Sequence, residues 1–206
     1  MKGISSILVA TALLALVPLF TTSNVVLNFL VTTLLIALVG QGWNLLGGYG
    51  GQYSFGHAAF FGTGAYATAI LATKYHIGLG WDFWLVVLFG MLLGAALAAV
   101  FGLLAIRASG VYFLMITLAL GQCVWGLAYR WNSLTGGDNG ILGVWPDKWA
   151  ASPSHFYWLS LGVAALAVVV LRMIIFSPFG YALRATRDSL LRSEAIGINA
   201  KRMQWT

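Results

Sequence analysis

The sequence predicts an all-α integral membrane protein, a polytopic helical bundle of about six membrane segments with a short helical element after the last. Three observations predict this class. Sixty per cent of the residues are apolar and only 8% are charged, whereas a soluble domain carries about 25% charged residues. The apolar residues gather into six runs, near 4–20, 24–46, 57–73, 81–106, 110–129 and 155–176, and a helix needs about 20 such residues to cross a bilayer core. The charge is also sorted. With all six runs crossing, Lys2, Arg107, Arg172, Arg184, Arg187, Arg192, Lys201 and Arg202 share one side, and Lys74, Arg130 and Lys148 the other. The positive-inside rule makes the richer side cytoplasmic, with both termini there.

The first run follows Lys2, as a secretory signal would, but the next run begins a few residues later and no small-x-small cleavage site intervenes. It is therefore read as a membrane helix rather than a cleaved leader. The second, fourth, fifth and sixth runs are comfortably long. The first and the third, 57–73, are at the short limit, and the third either crosses or dips in and returns; the basic C-terminal segment stays inside in both cases.

No Asp or Glu lies in the middle of a run, Asp82 sits at the mouth of the fourth, and Arg172 is close enough to the end of the sixth to snorkel. The interior polar groups are neutral: Asn28, Thr32, Thr33, Gln41, Asn44, Thr117 and Gln122. Proton-driven pumps and charge-selective channels keep ionisable groups in the membrane, so this pattern counts against both. The net charge of +6 is topological in its distribution and does not call for nucleic acid. The single Cys123 excludes an internal disulfide and a thiol pair for zinc. In the fourth run Gly90, Gly94, Ala98 and Gly102 recur every four residues. They make a flat ridge for a close helix neighbour within the chain or, less simply, in another subunit.

The segment Gly47 to Tyr66, GGYGGQYSFGHAAFFGTGAY, holds seven glycines in twenty positions and no charge. Non-helical backbone at membrane depth must be buried in protein or line a wet cavity, and broken helices there recur as translocation sites. Gly47 to Gly56 is accordingly read either as a non-helical lead into the third segment or as a plain cytoplasmic loop. The candidate translocation region comprises Gln41, Asn44, Gly47, Gly48, Gly50, Gly51, Gln52, Ser54, Gly56, His57, Gly62, Gly64 and Gln122. His57 reads as a structural hydrogen-bonding group. Ser54 and His57 are the one pair suggestive of nucleophile and base, but no orienting carboxylate or metal-ligand set stands beside them in the sequence.

The stretch WNLLGGYGGQYSFGHAAFFGTGAYATAIL, together with RASGVYFLMITLALGQ (107–122), LTGGDNGILGV (134–144) and SPFGYALRATRDSLLRSEAIGINAKRM (177–203), resembles the permeases of branched-chain amino acid ABC importers, of the LivM-type subunit. The four blocks occur in the expected order and span most of the chain from residue 43 onward. The resemblance implies a multi-pass subunit of a bacterial inner (plasma) membrane. It would pair with a second homologous permease, two cytoplasmic ATPase subunits that bind the ATP, and an extracytoplasmic solute-binding protein. Family members continue through further membrane helices after the last block, which points to a fragment, a truncated gene or an incomplete gene model.

The last block has a physical reading of its own. Ser177-Pro178 suits a helix start, Asp188 a second N-cap, Gly197 a left-handed stop and Asn199 a further cap. The result is an amphipathic element near 189–196 with Leu190, Leu191, Ala195 and Ile196 free for contacts, amid Arg184, Arg187, Arg192 and Glu194. The resemblance assigns segment 177–206 the role of a coupling helix docked on the ATPase; the alternative is a basic patch on anionic lipid. The block at 134–144 reads as a tight turn.

No Gly-x4-Gly-Lys-Ser/Thr phosphate loop is present, so energy would come from a partner. The expected function is alternating-access import of branched-chain amino acids, with urea or short amides as the alternative substrate. An intramembrane enzyme or a glycine-filter channel is the reading from another class.

Overall fold

Lipid as solvent writes helix limits into the chain as breaks in hydropathy, and the helices follow them closely. In chain order they are α1 (Lys2–Phe20), α2 (Asn24–Asn44), α3 (His57–Lys74), α4 (Phe83–Ala105), α5 (Val111–Arg130), α6 (Asn132–Thr135), α7 (Pro153–Ile175), α8 (Pro178–Asp188) and α9 (Leu190–Ala195), with no strand among the described residues. The computed structural model describes residues 2–21, 23–75, 83–105, 107–108, 110–144, 152–199 and 203. His76, Asp82, Lys148, Lys201 and Arg202 lie outside the described residues.

Four helices are long and apolar enough to cross a membrane: α2 with its extension to Tyr49, α4, α5 and α7. The chain is thus a multi-pass membrane protein. Of the other two expected segments, α1 has its apolar stretch at Ile7–Phe20 among the described residues, and α3 has 18 residues interrupted by glycine, threonine and tyrosine. The threonines in these helices turn inward on the backbone: Thr32 and Thr33 donate to Asn28 O and Phe29 O at 2.9 and 2.8 Å. Thr63 and Thr73 do the same to Ala59 O and Ala69 O. A hydroxyl that lipid cannot solvate is satisfied within its own turn.

The helices associate as two triplets. In the first, α2 and α1 pack on α7 around Leu27, Val31, Tyr157 and Leu161. Tyr157 is fully buried and its hydroxyl donates to Leu14 O at 2.8 Å, tying α1 to α7. In the second triplet α3 lies along α4, with α5 against both. The glycine ridge accounts for the close α3–α4 approach: a Cβ on Gly90 would stand 2.9 Å from Thr68 Cγ2 and 3.1 Å from Gly64 O, and one on Gly94 would stand 3.5 Å from Phe60 O. Ala98 and Gly102 continue the line, both half-buried. The ridge packs within the chain. At the far end of α3, Lys74 Nζ donates to Ser133 O, so α3 ends beside the α5–α6 corner, as the grouping of Lys74 with Arg130 requires.

After α7 the chain turns sharply into α8. Ser177 Oγ accepts the Gly180 N–H at 3.3 Å and Pro178 occupies the first turn, as the Ser-Pro pair predicts. A side chain at Gly180 would run into the Ile174 and Ile175 carbonyl oxygens, so the corner accepts glycine alone. Arg184 fastens it, donating to Ile175 O at 2.6 Å and lying over the Tyr181 ring at 4.6 Å. The second cap differs from expectation. Asp188 ends α8, and Ser189 caps α9, its Oγ accepting the Arg192 N–H. Asp188 is instead held in an ion pair with Arg187. Gly197 closes α9 at φ +85°, as expected, and Met203 N–H bonds Asn199 O at 3.0 Å. Leu191 and Ile196 stay 81% and 74% exposed.

Candidate functional site

Between the two triplets runs the glycine-rich segment, and its course corrects one expectation. Helical geometry does not stop at Gly47: Leu45–Tyr49 form a π-helical turn continuing α2, and the non-helical strap begins only at Gly50. The widened turn keeps backbone donors occupied, with Gly50, Gly51 and Gln52 N–H bonded to Leu45, Gly47 and Leu46 O at 3.1 Å each. Gly51 then reverses the chain at φ +71°, a conformation that costs an L side chain about 1 kcal/mol or more.

The strap and the π turn before it are bonded from outside the segment. Trp43 Nε1 donates to Ser54 O at 2.8 Å, Phe55 N–H donates to Thr117 Oγ1 at 3.2 Å, and Arg187 Nη1 donates to Gly48 O at 2.6 Å. This is the accounting that irregular backbone at membrane depth demands. Gly56 sits against the Phe101 ring and Thr117 O, where a Cβ would come within 3.3 Å. Phe101 is four residues from the end of α4 and Thr117 six from the start of α5, so the strap ends about 6–9 Å inside those helices at 1.5 Å per residue. That depth is why α3 is short.

From the strap's end a cavity of ≈ 750 Å³ opens between α3 and α5, running toward the 131–138 corner. Phe55 lines its strap end. Ala59, Gly62, Thr63, Tyr66 and Ala67 form the α3 wall, and Leu118, Gly121, Gln122, Trp125 and Ala128 the α5 wall. Thr135 and Asp138 line the other end. The walls are mainly apolar, Trp125 stacks on Tyr129 at 5.3 Å, and the Asp138 side chain is exposed at the rim.

Of the sequence candidates, Gly62 and Gln122 line the cavity. Gly47, Gly48, Gly50, Gly51, Gln52, Ser54 and Gly56 build the π turn and strap, and His57 opens α3. Gly64 faces Gly90 in the helix crossing. Gln41 and Asn44 are exposed on α2 and do not line the cavity. The Ser54 Oγ accepts the Gly56 N–H at 3.2 Å. His57 packs edge-on against Phe60, near the Ser54 backbone, but its buried Nδ1 has no hydrogen bond of good geometry. The structural bonding expected of His57 is therefore not made at Nδ1, and no Ser54–His57 nucleophile–base bond forms through that atom. Among the described residues no cluster of three His, Cys, Asp or Glu could hold a metal.

Sequence reasoning missed the cavity's aromatic wall and the reach of Arg187 to the strap. The α3 wall did carry a signal, small residues and Tyr66 recurring at helical spacing on one face. It becomes a wall only once α5 is known to stand opposite.

The family described as the branched-chain amino acid transport system permease component matches residues 25–206. The high-affinity branched-chain amino acid transport system permease protein LivM of Escherichia coli (strain K12) is 27% identical over 226 aligned positions, covering 97% of this chain and 52% of the relative. Its namesake from Salmonella typhimurium (strain LT2) is 25% identical over 201 positions, covering 84% of this chain and 46% of the relative. The chain thus spans about half the length of the curated relatives it matches. No solved structure gives a significant match.

Proposed function

Because this chain belongs to the permease-component family of branched-chain amino acid transport systems, we propose that it is a membrane-spanning permease subunit of an ATP-binding-cassette importer. It moves branched-chain amino acids inward by alternating access, with α1 and α3 completing six membrane segments. The observation that carries this reading is the family match over residues 25–206, a stretch that includes the cavity, the strap and the C-terminal helices.

The cavity chemistry suits such a solute. Its apolar walls would take an aliphatic side chain, the Gln122 amide offers a neutral hydrogen-bonding partner within them, and the rim carboxylate of Asp138 would attract an ammonium group. Urea gains little from walls of this kind. ATP is bound by a partner subunit, and α8–α9 dock on it from the cytoplasmic side of a bacterial inner membrane. Arg192, Glu194 and the uncovered Leu191 and Ile196 form the docking face; Arg184, Asp188, Gly197 and Asn199 hold its shape. A second homologous permease covers the exposed helix faces, and an extracytoplasmic solute-binding protein delivers the solute.

The test is uptake of labelled leucine, then of urea, into proteoliposomes holding the chain with its partner subunits. Leucine accumulation that requires both ATP and binding protein is expected. Flux without either would replace this reading with a channel, and preference for urea would replace the substrate.

A further inference from the structure

We propose that Arg187 is the positioning residue through which the α8–α9 segment fixes the glycine strap, and through the strap the Phe55 end of the cavity. The inference rests on the transport reading above and names the route by which motion at α8 would reach the solute site.

The guanidinium is oriented on two sides. Its Nε and Nη2 donate to Asp188 Oδ1 at 2.9 and 2.8 Å, which aims Nη1 at Gly48 O, 2.6 Å away. The ion pair itself is 41% and 63% exposed and adds little stability; its effect is aim. The aliphatic stem lies over the reversal point, since a Cβ on Gly51 would stand 2.6 Å from Arg187 Cγ. Leu183, from the same helix, has its Cδ1 3.6 Å from where a Cβ on Gly50 would stand. One face of α8 therefore grips Gly48, Gly50 and Gly51 together.

Beyond the grip the strap is short. Three residues separate Gly51 from Phe55, and the four Cα–Cα steps span at most about 14 Å when extended. The far end is pinned by the Phe55–Thr117 and Trp43–Ser54 hydrogen bonds, and Phe55 lines the cavity. The strap is also a covalent crossing from the α1–α2–α7 triplet to the α3–α4–α5 triplet, while α8 is anchored to α7 by Arg184 and Ser177. A displacement of α8 is thereby delivered to the joint between the triplets. Asn, Gln or Ser at position 187 would be too short to grip both glycines; a long forked cation is what the geometry uses.

The experiment uses the complete importer in proteoliposomes, with Arg187→Ala, Arg187→Lys, Gly51→Ala and the Arg187→Ala/Gly51→Ala pair, measuring solute uptake and ATP hydrolysis together. Arg187→Ala is expected to assemble and hydrolyse ATP, with uptake per ATP lowered about tenfold, a common size for coupling between sites. Arg187→Lys keeps the charge and stem but loses the fork, and falls between. Gly51→Ala reproduces the loss, and the pair is no worse than either single change, because both disturb one contact. Unchanged uptake per ATP in an assembled Arg187→Ala importer, or additive losses in the pair, overturns the proposal. Should Arg187→Ala fail to assemble, unchanged ratios in Arg187→Lys and Gly51→Ala overturn it equally. A wild-type complex without ATP-dependent uptake removes the transport reading and this inference together. A transporting wild type with an unaltered Arg187→Ala removes the inference alone.

Discussion

The α3–α4 crossing permits a test in which one kind of substitution changes sign with position. Alanine at Gly90 would put its Cβ 2.9 Å from Thr68 Cγ2 and 3.1 Å from Gly64 O. Thr68 cannot swing aside freely, because its hydroxyl already bonds Ala65 O at 2.8 Å and Gly64 O at 3.2 Å, and a β-branched side chain is stiff at χ1. The helices must separate by a few tenths of an ångström, and overpacking of this sort costs about 1–3 kcal/mol. Alanine at Gly62 meets nothing within 4 Å. There the lower backbone entropy of alanine in a helix favours the folded state by about 0.5–1 kcal/mol. The same entropic gain accompanies Gly90→Ala and offsets part of its clash, so the two variants should differ by about 1–3 kcal/mol with Gly62→Ala the more stable. Unfolding by sodium dodecyl sulfate in mixed micelles, followed by circular dichroism, measures the difference. Values within about 0.5 kcal/mol of each other, the range of an inert surface change, would refute the reasoning.

Two further outcomes follow from single contacts. Thr117→Val keeps the shape of the side chain but removes the acceptor for Phe55 N–H; an unsatisfied buried donor costs about 1–3 kcal/mol, and the same unfolding assay should show it, with Thr117→Ser largely restoring stability. Gly180→Ala forces a methyl group onto the Ile174 and Ile175 carbonyls and should free α8, seen as faster tryptic cleavage at Arg184, Arg187 and Arg192; an unchanged cleavage rate would show that the corner tolerates a side chain.

The long helices were legible because apolar runs of membrane-crossing length have one economical structure in lipid. The runs at 24–46 and 110–129 became α2 with its π turn and α5, their ends displaced by three residues at most. Capping chemistry was legible where the sequence offered one answer, as at Ser177-Pro178, and misjudged where two adjacent residues could serve. Asp188 and Ser189 are equally good caps in isolation. An arginine beside Asp188 drew the carboxylate into an ion pair and left the task to the serine. The glycine segment announced a break but not its start, because a π turn has no composition of its own. The cavity was least legible. Its walls and its strap end depend on pairings such as Phe55 with Thr117 and Gly48 with Arg187, which join residues 62 and 139 positions apart, and no periodicity in one helix records what stands across from it.

The hydroxyls that fold back on their own helices, and the confinement of Arg130 and Arg172 to last turns, leave the middle of α2, α4, α5 and α7 without a formal charge. A membrane potential does work of about 2.3 kcal/mol per elementary charge per 100 mV, and here it finds almost nothing to pull on. In the alternating-access cycle proposed above, rocking one helix group against the other should therefore be electrically silent, leaving its tempo to mechanical contacts at the ends of the bundle and not to the voltage across it.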